Sequence, residues 1–382
     1  MKASSPKVVC VLECLAYGGL EWHAVELLPR LKARGIDVEA VVILGGGPLI
    51  KVLAERGIRV ISLGLSVATI YRLDQWVPAA WRLRRYLQAS SANIIHSQHY
   101  MPDVLTRLAA PRGTPIVSTV HQWEPWWDNG RRLRSRLRTR LDVTLARWRD
   151  VRVIAVSQDT ANAVSRTFRL RPERLQVIYN GIDLNRFPLD QLPSLPRDAS
   201  APVMIQVGSM HHRKGQSVSI GAFPLVLKEF PNASLLFVGD GPLRGDLEAQ
   251  ARALGVQNKV RFLGKVKDVI PWLHASDLFW MPSRFEGFGL ACAEAMACRL
   301  PTVTTNVIGL REVPVDGVTG FVVPADSPEA LAAASLRILK DPALATRMGL
   351  AGRQRVVEKF SIERTADEYA RAYEDIVQGR WK

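Results

Sequence analysis

The sequence is poor in cysteine and contains no long apolar run. Its 382 residues include only four cysteines, Cys10, Cys14, Cys292 and Cys298. These are too few for a disulfide framework and lack the C-x-x-C spacing of metal or redox sites. No stretch approaches the roughly 18 consecutive apolar residues that a membrane-spanning helix requires. We therefore expect buried, inert thiols and a cytoplasmic protein.

Two other signals are absent. Neither Gly45–Gly47 nor Gly239–Gly241 forms the G-x-G-x-x-G turn, which disfavours a nicotinamide-dependent dehydrogenase. Near the start, Lys2 and Lys7 precede an apolar run that imitates a signal peptide. However, Glu13 interrupts the run and no small-residue cleavage site follows it, so a first β-strand is the better interpretation.

The composition is that of a folded protein with a basic first half. Hydrophobic residues make up 47% and charged residues 23%, values that argue against disorder and coiled coil. Residues 1–190 hold 28 Lys and Arg against 16 Asp and Glu, whereas the remainder holds 23 against 20. The length corresponds to two or three domains of about 150 residues each. We expect the first half to contact anions.

Short β-branched runs alternate with helix-like segments, a pattern that predicts parallel sheets covered on both faces. The predicted strands are KVVCVLECL, VEAVVIL, RVISL, NIIHS, PIVSTVH, RVIAVS and LQVIYN in a first set, and VMIQVG, SLLFVGD, VRFLG, DLFWMPS, PTVTT and GFVVP in a second. The proline-rich segment between the sets is typical of a linker. The sequence therefore predicts an α/β protein with two doubly wound, Rossmann-like domains facing a central cleft.

The predicted boundaries divide the chain into four segments. The first domain spans residues 1–190, the linker 191–200 and the second domain 201–360. Residues 361–382 form a C-terminal helix in which Ala366, Tyr369, Ala370 and Tyr373 recur at helical spacing. We expect this helix to cross back to the first domain, although periodicity alone does not fix which domain it contacts.

Two strand ends carry candidate chemistry in the second half. Arg213 and Lys214 lie in a glycine-containing loop before a helix, where backbone N–H groups favour phosphate; alone, the pair is more typical of a solvated surface. Glu286 precedes a Gly-Phe-Gly turn, and Glu294 follows within an apolar helix that begins near Leu290. Glu286 could be a simple helix cap, but a buried Glu294 needs a polar partner, and a ligand hydroxyl would serve.

These motifs resemble a known family. The ordered series GGLEWHAVEL, VSTVH, IAVSQ, VIYNGID, VGSMHHRKG, FVGDGP, VRFLGKV, PSRFEGFGLACAEAMAC and DGVTGFVVP is similar to the retaining nucleotide-sugar glycosyltransferases of family 4, which have the GT-B fold. The resemblance runs from about residue 8 to residue 375 and includes the E-x7-E pair. It implies that the first domain receives the acceptor and the second holds a nucleoside-diphosphate sugar.

The resemblance implies roles in the second domain. Glu286 would face the donor sugar, Glu294 would accept hydrogen bonds from the ribose, and Lys214 would stabilise the departing diphosphate. Many members carry arginine where this chain has Ser209, and we expect Arg213 to supply the missing guanidinium. Further donor contacts are implied for Gly287, Phe288, Gly289, Leu290, Lys265 and Val266.

In the first domain, His121 matches the family histidine near the reacting carbon. Gly18 and Gly19 form a turn whose backbone N–H groups would approach a phosphate or sugar, although a purely structural turn is the alternative. His96 and His99 resemble a family I-H-x-H run, and we expect structural hydrogen bonding for them. Arg299 replaces a glycine that is usual in the family.

The mechanism follows from the same comparison. None of these motifs supplies a carboxylate nucleophile at the anomeric carbon. The resemblance implies instead a front-face transfer in which the departing β-phosphate helps deprotonate the acceptor. No D-x-D run is present, so neither a metal nor another cofactor is expected. The expected role is a step in surface polysaccharide, lipopolysaccharide or glycolipid synthesis. A sugar-nucleotide epimerase and a non-catalytic, polyanion-binding protein on the same fold remain alternatives.

The basic first half has a candidate partner. Residues 131–152 contain arginines around an apolar stripe, with tryptophans just before it, a pattern typical of a helix that lies on an anionic membrane. An ordinary core-facing helix is the alternative. The candidate membrane or acceptor residues are Trp126, Trp127, Arg134, Arg136 and Arg138. No nucleic-acid-binding module is recognisable, so we expect no nucleic-acid partner and a peripheral association with the inner face of the cytoplasmic membrane.

Overall fold

The computed structural model describes residues 5–16, 18–66, 73–122, 132–189 and 201–381. The side chains of residues 73, 74, 132–136 and 138 are outside this description. The chain divides into two compact units: the first comprises Met1–Gly181 with Ile362–Lys382, and the second comprises Ile182–Ser361. Each unit is an α/β structure built on one sheet.

The sheet of the first unit has seven parallel strands in the order β3-β2-β1-β4-β5-β6-β7. The strands are β1 (Lys7–Leu12), β2 (Asp37–Leu44), β3 (Arg59–Leu65), β4 (Ile94–Gln98), β5 (Ile116–Val120), β6 (Arg152–Ala155) and β7 (Leu175–Val177). In the part of the chain that the structure describes, the connecting helices are α1 (Gly19–Ala33), α2 (Leu49–Glu55), α3 (Leu73–Ser90), α4 (Tyr100–Ala109), α5 (Arg132–Trp148) and α6 (Gln158–Phe168).

Both faces of this sheet are buried. Val8 and Cys10 of β1 pack with α1 and α2 on one face, whereas Val9 and Val11 pack with α3, α4 and α6 on the other. This alternation explains the uninterrupted apolar run of the first strand, because a strand that is covered on both sides needs no polar face.

The second unit repeats the arrangement with six parallel strands in the order β10-β9-β8-β11-β12-β13. The strands are β8 (Val203–Val207), β9 (Ser234–Val238), β10 (Val260–Gly264), β11 (Leu278–Met281), β12 (Thr302–Thr305) and β13 (Gly320–Val323). The helices are α7 (Gln216–Glu229), α8 (Arg244–Ala253), α9 (Ile270–His274), α10 (Leu290–Ala297), α11 (Pro328–Leu339) and α12 (Pro342–Lys359). Short 3-10 turns cover Pro172–Arg174, Leu184–Arg186, His212–Lys214 and Leu310–Glu312.

The last helix, α13 (Ile362–Val377), belongs to the first unit. Its residues Ala366, Tyr369, Ala370 and Tyr373 are all buried in the core that also contains α1. The first unit ends at Gly181 rather than at residue 190, and residues 182–189 belong to the second unit. Residues 190–200, which include the predicted linker, lie outside the described residues.

The predicted fold is confirmed, since every predicted strand segment contains an observed strand. In both sheets the strand order reverses beside the first strand of the unit, between β1 and β4 and between β8 and β11. Doubly wound sheets bind ligands beyond the carboxyl ends of the strands at such reversals. No helix in the described ranges is long and apolar enough to cross a membrane.

The cysteines are free, and one differs from expectation. Cys10, Cys292 and Cys298 are buried, whereas Cys14 is only partly buried. Burial raises the pKa of the Cys10 and Cys292 thiols to about 12. These two thiols are therefore protonated and inert at neutral pH.

Candidate functional site

The loops that follow β8 and β11 are held together by a glycine. Gly215 has a φ of +67°, and a Cβ at this position would lie 1.9 Å from the carbonyl oxygen of Pro282. The backbone N–H of Arg284 also donates to the carbonyl oxygen of Arg213 over 2.8 Å. Only glycine permits this approach, which brings the ends of the two strands at the reversal into one site.

Lys214 has a fixed backbone. Its carbonyl oxygen accepts a hydrogen bond of 2.7 Å from Nε2 of Gln206 on β8. Gln206 is buried, and its Oε1 accepts a 2.7 Å bond from the hydroxyl of Ser219. The sequence analysis missed Gln206, although a glutamine inside an apolar strand is a usable signal, because a buried amide must be hydrogen-bonded.

Glu286 lies at the centre of a charged cluster. Its Oε1 accepts hydrogen bonds from Nζ of Lys214 at 2.6 Å and from the hydroxyl of Ser283 at 2.8 Å. The Arg213 guanidinium lies 3.8 Å from the other carboxylate oxygen, Oε2. Glu286 is only 5% exposed. A lysine ammonium carries three donors. Among the described residues Glu286 accepts one of them, so Lys214 keeps two for a ligand while Glu286 orients it.

Ser283 is a second residue that the sequence analysis missed. Its carbonyl oxygen accepts a hydrogen bond from the Thr305 hydroxyl at the end of β12, and its own hydroxyl binds Glu286. A polar residue directly after a buried strand was the available signal. The hydrogen bond from Thr305 to Ser283 joins the loop after β11 to the end of β12. Because Ser283 is held in this way, Glu286, which binds its hydroxyl, has a defined position.

The turn before α10 depends on two glycines. Gly289 has a φ of +98°, and a Cβ there would lie 2.7 Å from Cδ1 of Leu310. Gly309 has a φ of +78°, and its Cβ would lie 2.4 Å from the carbonyl oxygen of Glu286. The helix therefore begins at Leu290, as predicted. Its first N–H groups have no intrahelical partners and favour negative charge.

Glu294 lies on α10 and is partly buried. Burial raises the pKa of its carboxyl to about 7; Arg186 acts in the opposite direction and Asp268 in the same direction. Within the described ranges, no side chain donates a hydrogen bond to this carboxylate. Glu294 therefore retains its full capacity to accept hydrogen bonds from a ligand.

The remaining predicted donor contacts lie at the same edge of the second sheet. The carbonyl oxygen of Ser209 accepts a 3.0 Å bond from Nε2 of Gln216. Lys265 is exposed and Val266 is partly buried in the loop after β10. The second unit thus places its predicted site residues at the carboxyl ends of the strands, on loops or, for Leu290 and Glu294, on α10. Arg213, Lys214 and Ser283 surround the carboxylate of Glu286.

In the first unit, His121 follows β5 at the carboxyl edge of the sheet. It is buried, and its Nε2 lies 3.0 Å from Oε1 of Gln98, the last residue of β4. Burial lowers the pKa of His121 well below its usual range, and the nearby imidazoles of His99, His23 and His96 act in the same direction. His121 is therefore neutral at pH 7.

The Gly18–Gly19 turn carries a carboxylate. Gly18 is extended, and a Cβ there would lie 2.2 Å from Oε2 of Glu21. The Cys14 thiol donates to Oε1 of the same Glu21 over 3.4 Å. A cavity of about 170 Å³ lies beside this turn and is lined by Leu12, Glu13, Cys14, Leu20, Glu21, Ala24, Gln98 and His99. Its acidic lining suits hydroxyl groups better than phosphate.

His96 has a structural role. Its Nδ1 lies 2.6 Å from the Tyr373 hydroxyl and its Nε2 lies 2.7 Å from the Thr119 hydroxyl. The imidazole is buried and connects β4 and β5 to α13. His99 is partly buried, and its ring lies 5.5 Å from that of His121. His99 is therefore nearer to the candidate site than His96 is.

The predicted basic helix is only partly described. Trp126 and Trp127 lie outside the described residues, as do the side chains of Arg134, Arg136 and Arg138. The leucine stripe of α5 is divided, because Leu145 is buried whereas Leu137, Leu141 and Trp148 are exposed. The helix thus packs against α4 and α6 through Ala146 and Leu145, and its other apolar side chains named here are exposed.

Two doubly wound units, with a cationic loop pair and the start of helix α10 at the carboxyl edge of the second, are the arrangement of the GT-B class of glycosyltransferases. Family models described as Glycosyltransferase Family 4 and Glycosyl transferases group 1 match residues 17–186 and 190–355. The glycogen synthase of Mycobacterium tuberculosis is 31% identical over 288 residues, which are 74% of this chain and 68% of that protein. The chain therefore belongs to the group 1, or family 4, glycosyltransferases, as predicted.

Two further relatives agree with this assignment. A GDP-mannose-dependent monoacylated alpha-(1-6)-phosphatidylinositol monomannoside mannosyltransferase of Corynebacterium glutamicum is 30% identical over 271 residues, which are 65% of this chain and 67% of that protein. The structure of Anabaena Alr3699/HepE in complex with UDP and glucose matches 97% of this chain and 99% of that one, with 21% identity and a TM-score of 0.81. The predicted GT-B fold is confirmed.

Proposed function

We propose that this glycosyltransferase moves a hexose-type sugar from a nucleoside-diphosphate sugar to a hydroxyl of a glycan or lipid-linked acceptor, with retention at the anomeric carbon and without a metal ion. The step belongs to surface polysaccharide, lipopolysaccharide or glycolipid synthesis on the cytoplasmic side of a membrane. The observation that carries the proposal is the cluster of Lys214, Arg213 and Ser283 around Glu286.

The donor fits the second unit by charge. The diphosphate binds the free donors of Lys214, the Arg213 guanidinium and the first N–H groups of α10, all of which favour an anion. Glu286 accepts hydrogen bonds from the sugar, and Glu294 accepts them from the ribose. Alr3699/HepE, which was solved with UDP and glucose, supports a sugar nucleotide as the donor.

The transfer itself requires stabilisation of the leaving group. As the bond between the anomeric carbon and the diphosphate breaks, negative charge grows on the β-phosphate, and Lys214 and Arg213 stabilise it. These two cations take the place that a divalent ion has in metal-dependent transferases. Glu286 is already bonded to Lys214 and Ser283, which makes it a weak nucleophile and favours front-face transfer.

The acceptor fits the first unit. Its carboxyl edge presents the neutral His121 and the carboxylates of Glu13 and Glu21, which suit hydroxyl groups. The relatives are named as a glycogen synthase and a phosphatidylinositol monomannoside mannosyltransferase, so both glycan and lipid-linked acceptors occur among similar proteins.

A lipid-linked acceptor agrees with the outer face of α3, α4 and α5, which we call the α3–α5 face. Its exposed apolar side chains are Val77, Trp81, Leu108, Leu137, Leu141 and Trp148. Arg149 donates to the carbonyl oxygen of Pro111. Burial lowers the pKa of its guanidinium, and the charges of Arg84 and Arg112 act in the same direction, so the three guanidinium groups lie close together. Within the described part of the chain, none of the three forms an ion pair.

Exposed apolar side chains beside unpaired arginines fit an anionic membrane surface. Tryptophan and leucine enter the interface, while each arginine near the surface contributes about 1 kcal/mol of attraction to anionic lipid. We therefore propose that the α3–α5 face binds the membrane that carries the acceptor.

The test is incubation of the protein with a panel of uridine, guanosine and adenosine diphosphate sugars, with and without chelator. The proposal expects release of one nucleoside diphosphate, and chelator should not change the rate of its release. NMR of the product should show the same configuration at the anomeric carbon as in the donor. An isomerised sugar nucleotide without transfer would establish the epimerase alternative. Binding of polyanions without any sugar-nucleotide turnover would establish the non-catalytic one.

A further inference from the structure

Two buried histidines in the first unit are incompletely hydrogen-bonded. His23 on α1 and His121 after β5 are 4% and 6% exposed, and their ring centroids lie 6.4 Å apart. In each, Nδ1 is shielded from solvent and has no hydrogen-bond partner among the described residues. Because buried polar atoms are almost always paired, a group from outside the protein is expected to bind there.

The other ring nitrogens fix where the protons lie. Nε2 of His23 accepts the backbone N–H of Gly181 over 3.2 Å, so in the neutral ring the proton lies on Nδ1. Nε2 of His121 faces Oε1 of Gln98 at 3.0 Å and must donate to it, so its Nδ1 is an acceptor. Burial lowers the pKa of His23 to about 4, which keeps the ring neutral at pH 7. The pair therefore offers one donor and one acceptor.

We infer that Nδ1 of His23 and Nδ1 of His121 bind one hydroxyl group of a sugar substrate between them. A hydroxyl accepts one hydrogen bond and donates another, whereas an ionised phosphate or carboxylate cannot donate to His121. Two hydrogen bonds of about 2.7–3.2 Å through one oxygen span up to about 6 Å between two nitrogens, so one hydroxyl is large enough to bridge two rings whose centroids lie 6.4 Å apart. The inference rests on the proposed function and names His23 as a residue that recognises substrate.

The position of the pair agrees with this role. Ala24, next to His23, and Gln98, the partner of His121, both line the cavity of about 170 Å³ at the carboxyl edge of the sheet. Gly181 is held in turn, because a Cβ there would lie 2.5 Å from Cα of Ile362. His23 is thus fixed on one side by the backbone, and its free nitrogen recognises the ligand.

Two variants of His23 separate recognition from packing. In His23→Gln, the side-chain oxygen takes the place of Nε2 and still accepts from Gly181, but the Nδ1 donor is lost. In His23→Asn, the side-chain amide takes the place of Nδ1 and keeps the donor, while the contact with Gly181 is lost. A structural role would make His23→Asn the more damaging variant; substrate recognition makes His23→Gln the more damaging one.

The experiment compares kcat/KM for the sugar nucleotide that the wild type transfers with kcat/KM for its monodeoxy analogues, and repeats this with monodeoxy acceptors. We expect the wild type to disfavour one analogue by about 100-fold, since a site built for a hydroxyl strongly rejects its absence. The preference should collapse to a few-fold in His23→Gln and persist in His23→Asn. The series that shows the effect identifies the hydroxyl as that of the donor or the acceptor.

Other results overturn the inference. If His23→Gln discriminates as strongly as the wild type, the two nitrogens bind a buried water only. If the wild type transfers no sugar, the proposed function fails, and ¹⁵N NMR of the histidines still tests this inference: we expect the proton on Nδ1 of His23 and on Nε2 of His121. Protonation of His23 at Nε2 would contradict it.

Discussion

The carboxyl edges of the two sheets have the same backbone and opposite chemistry. Both edges lie where the strand order reverses, between β1 and β4 and between β8 and β11. The second edge gathers Arg213 and Lys214 at the start of a helix, whereas the first gathers neutral imidazoles and the carboxylate of Glu21. The fold fixes where a ligand binds, and the side chains on the loops select its charge.

This difference divides the proposed reaction into two tasks. An edge whose cationic side chains keep hydrogen-bond donors for a ligand suits a diphosphate, which carries negative charge throughout the reaction. An edge of neutral histidines and carboxylates suits hydroxyl groups, which must be oriented without being charged. The predictions below test each edge separately.

The largest effect is expected at the cationic edge. Replacing Lys214 by Ala should lower kcat by about 100-fold to 1,000-fold, because a charge that stabilises the leaving phosphate is lost. Steady-state kinetics with the active sugar nucleotide measure this. Lys228→Ala, which changes an exposed lysine on α7, is the matched control and should retain wild-type turnover. Equal kinetics for the two variants would remove Lys214 from the reaction.

Binding to anionic lipid should depend on the arginines of the α3–α5 face and should not depend on arginines of the second unit. Arg85 also lies on α3, with its guanidinium 4.8 Å from the ring centroid of Trp81. Replacing Arg84, Arg85 and Arg112 together by Gln should weaken binding to liposomes of anionic lipid by about 100-fold, since each arginine contributes about 1 kcal/mol. Cosedimentation at low and high salt measures this. A triple variant of exposed arginines in the second unit, Arg252, Arg261 and Arg347, should bind as the wild type does. Loss of binding in both variants would indicate a general charge effect.

The loop contact that builds the cationic edge predicts a stability difference between two glycines. Gly215→Ala combines a positive φ with a clash against Pro282 and should cost about 3 kcal/mol, whereas Gly255→Ala, with a φ of +69° and nothing within 4 Å, should cost about 1 kcal/mol. Calorimetric melting of both variants tests this. A larger loss for Gly255→Ala would show that the loops are not packed as described.

The stability of the first unit should also depend on pH. Burial lowers the pKa of His23 to about 4, so the unfolded state binds a proton below about pH 6.5 while the folded state does not. Stability from this residue is therefore complete above pH 6.5 and is lost as the pH falls towards 4, by about 1.4 kcal/mol per unit. Unfolding of wild type and His23→Gln across this range should show the difference in their free energies changing with pH; a constant difference would contradict the buried, neutral state.

Glu294 in the second unit predicts the opposite dependence. Its pKa is raised to about 7, so its burial costs most when the carboxyl is ionised, above pH 7. Hydrogen bonds from a ribose would stabilise the ionised form. Nucleoside diphosphate affinity in the wild type should therefore increase as the pH rises towards 7 and level off above it. Because the ligand's own phosphate titrates at about pH 6, Glu294→Gln should show a weaker increase over the same range.

Much of the fold can be predicted from the sequence, because parallel strands that are buried on both faces appear as continuous apolar runs. The runs around Val8 and Val203 are examples, and each lies in a strand of the structure. The start of α10 is also legible, since Gly289 marks a backbone turn that other residues rarely adopt. Local chemistry is enough for such features.

Contacts between residues that are far apart in the chain cannot be predicted from the local sequence in the same way. The sequence analysis singled out Lys214 and Glu286 separately, but the hydrogen bond between them depends on the order of the strands and on Gly215. His23 was missed altogether, because its importance depends on His121, a residue far along the chain. The leucines of α5 have equal spacing yet unequal burial, since Leu145 faces the core and Leu137 does not.

The central claim is that the second unit binds a nucleoside diphosphate through the loops after β8 and β11. Hydrogen exchange of the full chain, measured with and without a panel of nucleoside diphosphates, tests it most directly. We expect one of them to protect the backbone amides of residues 208–215 and 286–291, and Lys214→Ala to abolish that protection. Protection confined to other segments, or none with any nucleoside diphosphate, would contradict the account.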